Sequence, residues 1–201
     1  MLGIFLDLET NGLDFQKNRT LEIAFKMLDV NTKELKAEYS SLVSQPLSVW
    51  DQSDLESLQI NGLDWPTICK GKKESQIKEE IVHIFTQFNI QRKNSVFICQ
   101  NPSYDRAFFS QIISSDLQEQ LNWPYHWLDL ASMFWAKCLQ DPENAIPWEI
   151  GFSKNKIAKH LHLPPEKDPH RAMNGVNHLL LCYENVVGFP KTTYSNKTAV
   201  T

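Results

Sequence analysis

No surplus of positive charge runs through the chain. Its 20 lysines and arginines stand against 24 aspartates and glutamates, a formal net charge of −4 over 201 residues. A protein that coats nucleic acid needs a basic face, so the balance argues against that class. It does not argue against one that grips only a strand end, because bound divalent ions supply local positive charge. Cysteine is scarce and scattered: Cys69, Cys99, Cys138 and Cys182 lie far apart with no CxxC spacing. That disfavours a zinc site or a disulfide framework and favours reduced thiols. Long apolar runs are missing too. Residues 1–6 are apolar but meet an acid at Asp7, without the basic lead of a signal peptide and far short of a membrane span. The expectation is a cytoplasmic protein with no membrane contact. Repeats and low-complexity tracts are absent, and 42% hydrophobic with 22% charged residues suits one well-buried domain.

What is present reads as a mixed α/β order. Residues 2–8 form an apolar run closed by Asn11-Gly12, a buried first strand and a turn. Residues 20–30 alternate, with Leu21, Ile23, Phe25 and Met27 on one face, and residues 38–43 follow as a third strand. Residues 50–69 read as irregular. Ile77, Ile81, Ile84, Phe85 and Phe88 recur at helical spacing over residues 74–88, and residues 95–99 form an apolar fourth strand. Helices are expected over 105–113, 128–139 and 170–187, with Ser153 capping a shorter one through residue 161.

Three junctions carry candidate chemistry. At the end of the first strand, Asp7-Leu8-Glu9-Thr10 places two carboxylates two residues apart, hence on one face. Two such acids repel unless a cation sits with them, and hard oxygen donors suit magnesium or manganese. A solvated strand end explains so short a pattern about equally well. After the fourth strand, Asn101-Pro102-Ser103-Tyr104-Asp105 puts an acid at the opening of a helix, where the macrodipole favours one in any protein. Third comes His170-Arg171-Ala172 before the last helix. A histidine beside a metal site can take a proton from water, though a surface histidine is the commoner case.

Taken together and in this order, the three junctions resemble the motifs of the DEDDh family of 3′→5′ exonucleases, which includes polymerase proofreading subunits, ribonuclease T and oligoribonuclease. Asp7, Glu9, Thr10 and Leu13 match the first motif, and Leu21-Glu22-Ile23-Ala24 looks like its second-strand segment. Asn101 and Asp105 match the second motif, with Phe108-Phe109 at its aromatic positions. Asp129 and the helix after Ser153 are similar to later family features. The likeness spans roughly residues 1–187 and implies a ribonuclease H-like mixed sheet flanked by helices, with an exonuclease domain at 1–190 and a polar tail at 191–201.

The same resemblance implies two magnesium or manganese ions held by Asp7, Glu9 and Asp105, with His170 as general base. Thr10, Leu13, Asn101 and Phe109 would bind the substrate. It implies 3′ ends of single-stranded DNA or RNA as partners, nucleoside 5′-monophosphates as products, and a monomer or homodimer. One position departs. The third motif runs His-x-Ala-x-x-Asp, and five residues after His170 stands Gly175. Asn174 or Asp168 could stand in for the missing carboxylate. A rival reading is a pseudo-exonuclease that keeps the fold as a nucleic-acid or protein-binding module. A haloacid-dehalogenase-like phosphatase ranks last, because Glu9 occupies that motif's second acid position.

Overall fold

The computed structural model describes residues 1–140 and 146–190. Its sheet has five strands, β1 (Leu2–Thr10), β2 (Thr20–Asp29), β3 (Leu35–Leu42), β4 (Ser95–Cys99) and β5 (Trp127–Asp129). They lie in the order β3-β2-β1-β4-β5. β1, β2 and β3 form an antiparallel meander, while β4 and β5 add in parallel beyond β1. The helices are α1 (Leu47–Trp50), α2 (Leu55–Asn61), α3 (Trp65–Ile68), α4 (Glu74–Gln87) and α5 (Pro102–Ile112). They continue with α6 (Ser115–Gln120), α7 (Leu130–Gln140), α8 (Pro147–Ile150), α9 (Lys154–His160) and α10 (Ala172–Val186).

Strand parity divides the core in two. Ile4, Leu6 and Leu8 of β1 face α4 and α5, packing with Ile77, Ile81, Phe85, Phe108 and Phe109. Phe5 points to the other face and joins Phe134, Ile157, Val176 and Leu179 under α7, α9 and α10. Asp7 and Glu9 share Phe5's parity, so the sheet itself sends both acids beneath α10. Among the described residues, no helix is long and apolar enough to cross a membrane, and none of the four cysteines forms a disulfide.

Several boundaries differ from the sequence reading, each for a local reason. β1 runs two residues further, to Thr10, because its ladder with β2 continues through Glu9↔Glu22 and Thr10↔Thr20. Leu128 and Asp129, read as the start of a helix, belong with Trp127 to a strand; three residues are too few to show alternation, and β5 exists through its pairing with β4. The stretch read as irregular holds short helices capped by Asp54 and Asp64, the first of them closed by Gly62 at φ 63°. α5 begins at Pro102, so Asp105 lies within its first turn rather than opening it. α10 begins at Ala172, not at His170.

Phe85 is fully buried between Phe25, Phe97 and Trp123, with ring centroids at 5.4, 6.1 and 4.7 Å. Phe85→Ala should cost about 3–5 kcal/mol in urea unfolding. Leu55→Ala, at a side chain 74% exposed, should stay within about 0.5 kcal/mol of the parent.

Candidate active site

The end of β1 opens into a cavity of about 330 Å³, near the lower bound of ligand sites at roughly 300 Å³. Asp7, Glu9, Thr10, Leu13, Asn101 and His170 all line it, joined by Tyr104 and Lys154. Six of the eight residues singled out in the sequence thus meet in one place, drawn from three separate segments. Asp105 lies just behind, buried at 4% exposure. Burial first, then the charge of Asp7, raises its carboxyl well above the ordinary range. Phe109 is a correction: it is fully buried, packed edge-to-face in the core against Phe97 and Trp127, and offers no surface to a substrate. Its place at the rim goes to Tyr104, five residues earlier in α5 and on a different face of the helix, lining the cavity.

The rim is built by backbone and side-chain hydrogen bonds. Thr10 Oγ1 donates to the Gly12 carbonyl at 2.8 Å and lies 2.5 Å from the Tyr104 hydroxyl. Asn61 Nδ2 donates to the Thr10 carbonyl at 3.0 Å, fixing the strand end from α2. Asn101 sits at φ 56°, a left-handed conformation that asparagine tolerates. Its N–H donates to Asp129 Oδ1 at 3.1 Å, and the same carboxylate receives the first N–H groups of α7. Asp129 therefore positions Asn101 rather than touching the cavity.

His170 is anchored by its own N–H, which donates to the Ile60 carbonyl at 3.0 Å. The next residue pins the start of α10. Arg171 donates to both oxygens of Glu22 at 2.8 and 2.7 Å, and the Ala172 N–H reaches Glu22 Oε2 at 3.0 Å. A carboxylate on β2 thus caps α10, where the helix dipole favours a negative charge.

Gly175 faces Asp7 directly. A Cβ built there would lie 2.0 Å from Asp7 Oδ2 and 2.9 Å from Lys154 Nζ. α10 approaches β1 so closely that any side chain at 175 would displace the aspartate. Neither stand-in considered from the sequence fills the gap. Asn174 lines a separate cavity with Pro164, Glu166 and His178, and the Asp168 side chain is 92% exposed beside His170.

The groups that meet Asp7 were not singled out by sequence. Lys154 Nζ donates to Asp7 Oδ1 at 2.9 Å and lies 3.2 Å from Glu166 Oε2. The Lys154 and Asp7 side chains are 13% and 14% exposed, and that of Glu166 only 1%. Glu166 also lies 4.0 Å from His170 and 3.7 Å from His178, so the lysine and two imidazoles surround its carboxylate. Burial would raise Glu166, but His178, Lys154 and His170 outweigh it and bring it to about 2. Burial lowers Lys154, yet Asp7 and Glu166 hold it above the ordinary lysine value. Burial raises Asp7 while Lys154 opposes that shift. Glu9 has less relief: burial and the facing Asp7 push it up to about 8.

The donor chemistry of Asp7, Glu9 and Asp105 suits a hard divalent cation, which would relieve the acids whose ionisation burial and mutual repulsion now oppose. Their placement is set otherwise. Among the described residues no three histidine, cysteine, aspartate or glutamate side chains gather to hold an ion, and the cation on Asp7 is the lysine.

No protein-family model matches the chain, nor does any curated protein sequence. Solved structures do. E. coli exonuclease I in complex with a 5cy-dT13 oligonucleotide superposes at a TM-score of 0.72 and 16% identity, over 92% of this chain and 40% of that one. Exonuclease I from Methylocaldum szegediense gives 0.71 and 15%, over 91% of this chain and 40% of that one. A zinc-bound E. coli ExoI–ssDNA complex gives 0.69 and 16%, over 92% and 40%. The chain spans about two fifths of these proteins. At such identity the likeness establishes the fold: a ribonuclease H-like α/β sheet flanked by helices.

Two outcomes follow from this geometry. Gly→Ala inside a helix ordinarily stabilises by about 1 kcal/mol, but Gly175→Ala should instead destabilise by about 1–3 kcal/mol, the cost of overpacking; urea unfolding reads the sign. His178, held up at about 9 by Cys182, Glu166 and Pro164 against the effect of burial, has a raised folded-state value. Its stabilisation is present below the unfolded value of about 6.5 and lost as pH rises through 9. The melting temperature should therefore fall over that interval, and His178→Asn should flatten the fall.

Proposed function

We propose that the chain is a metal-dependent 3′→5′ exonuclease of the DEDDh type that removes nucleotides from single-stranded ends as 5′-monophosphates. The observation that carries the reading is the meeting of Asp7, Glu9, Thr10, Asn101 and His170 around one cavity, with Asp105 behind it. That the similar structures include complexes with single-stranded oligonucleotides agrees with it.

Asp7, Glu9 and Asp105 are the residues that would hold magnesium or manganese. Such an ion lowers the pKa of bound water and stabilises charge on the reacting phosphate. The rest falls to the chain. Thr10 and the backbone beside it present polar groups to a terminal 3′ hydroxyl, and Leu13, 76% exposed at the mouth, offers an apolar surface to the last base. Asn101 and Tyr104 close the opposite wall. Tyr104 keeps its proton, since burial first of all lifts it to about 12, so its hydroxyl can donate to a phosphate oxygen. His170 receives the proton from the attacking water, its ring flanked by Asp168 at 3.7 Å and Glu166 at 4.0 Å.

A second reading, a binding module without turnover, is favoured by the lysine on Asp7 and the glycine at 175. A 5′-labelled single strand incubated with magnesium, then manganese, separates the two. The exonuclease reading expects a ladder of shortened strands, reduced at least ~10–100-fold in Asp7→Ala and in His170→Ala. A strand that is bound but never shortened with either metal selects the binding module. A ladder unchanged in Asp7→Ala removes the assigned site.

A further inference from the structure

A second cavity adjoins the one at Asp7. It measures about 590 Å³ and is lined by Asn101, Asp129, Ala131, Ser132, Trp135 and Phe152. Asn101 lines both cavities, so the two meet at that residue. The second is walled by aromatic rings. Trp135 on α7 lies 5.3 Å from Trp148 of α8 and 5.7 Å from Phe152, tilted by 42° and 33° rather than closed into a stack. Trp135 and Trp148 remain 39% and 56% exposed. Clustered exposed apolar side chains mark a binding surface, whereas scattered ones do not. Gln100, next to Asn101, donates from Nε2 to the Phe152 carbonyl at 2.6 Å and ties the aromatic loop to the end of β4.

A basic surface begins two residues before Phe152. Ile150 lines a further cavity of about 580 Å³ with Lys156, Lys159, His160 and His162, and no acid lines it. Among the described residues neither lysine forms an ion pair. The helix dipole accounts for Lys159 and His160 in the last turn of α9. It does not account for Lys156, which stands in the first turn, where a cation is disfavoured. The His160 ring meets Phe134 at 5.6 Å, joining this basic surface to the helix that carries Trp135.

We propose that unpaired bases upstream of a strand's 3′ end stack on Trp135 and Phe152, while the backbone passes Lys156 and Lys159. This rests on the proposed function, which places the 3′ end in the cavity at Asp7. Three features favour a single strand over a protein partner. Aromatic faces accept any base, because every base has a π surface. Unpaired lysines beside those faces suit phosphates, on a chain whose net charge is −4. Position agrees as well. The cavities at Asp7 and Trp135 follow one another along the carboxyl ends of the parallel strands β1, β4 and β5, where ligands of α/β sheets bind.

The test titrates a 5′-labelled oligothymidine of about ten nucleotides with the full chain, in chelator so that no strand is shortened, and follows fluorescence anisotropy. Trp135→Leu, which keeps an apolar side chain but no ring, should weaken binding about tenfold, as the loss of one stacked base does. Trp135→Phe should restore most of it. Paired bases cannot reach the ring, so a blunt hairpin should bind wild type and Trp135→Leu alike. Lys156→Ala combined with Lys159→Ala should lower the slope of log affinity against log salt by about 1.4, at roughly 0.7 per phosphate. Single-strand binding unmoved by Trp135→Leu, an equal loss on the hairpin, an unchanged salt slope, or a wild type that binds no strand overturns the proposal. Self-association that Trp135→Leu abolishes while strand binding stays intact also overturns it, in favour of a face for a second copy of the chain. Strand shortening in magnesium, read on the same proteins, keeps the two claims apart. Binding that follows this pattern in a chain that leaves strands intact retains the stacking surface and loses the exonuclease; shortened strands with binding indifferent to Trp135→Leu do the reverse.

Discussion

The site is organised by one buried ion pair, Lys154 with Asp7, closed from behind by Glu166. β1 sends two acids under α10 by strand parity alone, and a desolvated acid pair is unstable without a counter-charge. The lysine supplies it. Its presence accounts for features that otherwise look unrelated: the glycine where α10 crosses Asp7, the buried carboxylate in the proline-rich loop, and the two histidines around that carboxylate. Removing one partner of such a pair leaves a buried charge uncompensated, typically at about 3–5 kcal/mol.

How much of this was legible in the sequence depends on the range of the interaction. The strand carrying Asp7 and Glu9 announces itself by apolar residues and a turn, and α4 by its helical period, because both patterns are local. Ser95–Cys99 matches its strand to the residue. The meeting of β1, Asn101 and His170 is not local, and it was reached through the joint resemblance of three motifs. Leu128 and Asp129 read as helix because a three-residue strand is defined by its neighbour. Phe109 was placed at the substrate by motif position, whereas the phase of α5 turns it into the core and Tyr104 outward.

Lys154 and Glu166 went unread for a different reason. A lysine after a capping serine and a glutamate after two prolines look like solvated surface, and nothing nearby marks either as buried. The available signal was the defect itself. Gly175 removes an expected carboxylate from a helix facing two acids, and such a loss calls for a change in charge elsewhere. Asn174 and Asp168, the polar residues around the third motif, turn to another cavity and to solvent. The charge that meets Asp7 comes instead from Lys154 on α9.

The fold is that of the exonuclease I structures, and the charge arrangement at its centre is the Lys154–Asp7 pair backed by Glu166. A crystal structure of the chain would test that arrangement most directly. The account predicts Lys154 Nζ within hydrogen-bond distance of Asp7 Oδ1 and beside Glu166 Oε2. A Lys154 side chain turned to solvent, with Asp7 left without it, would contradict it.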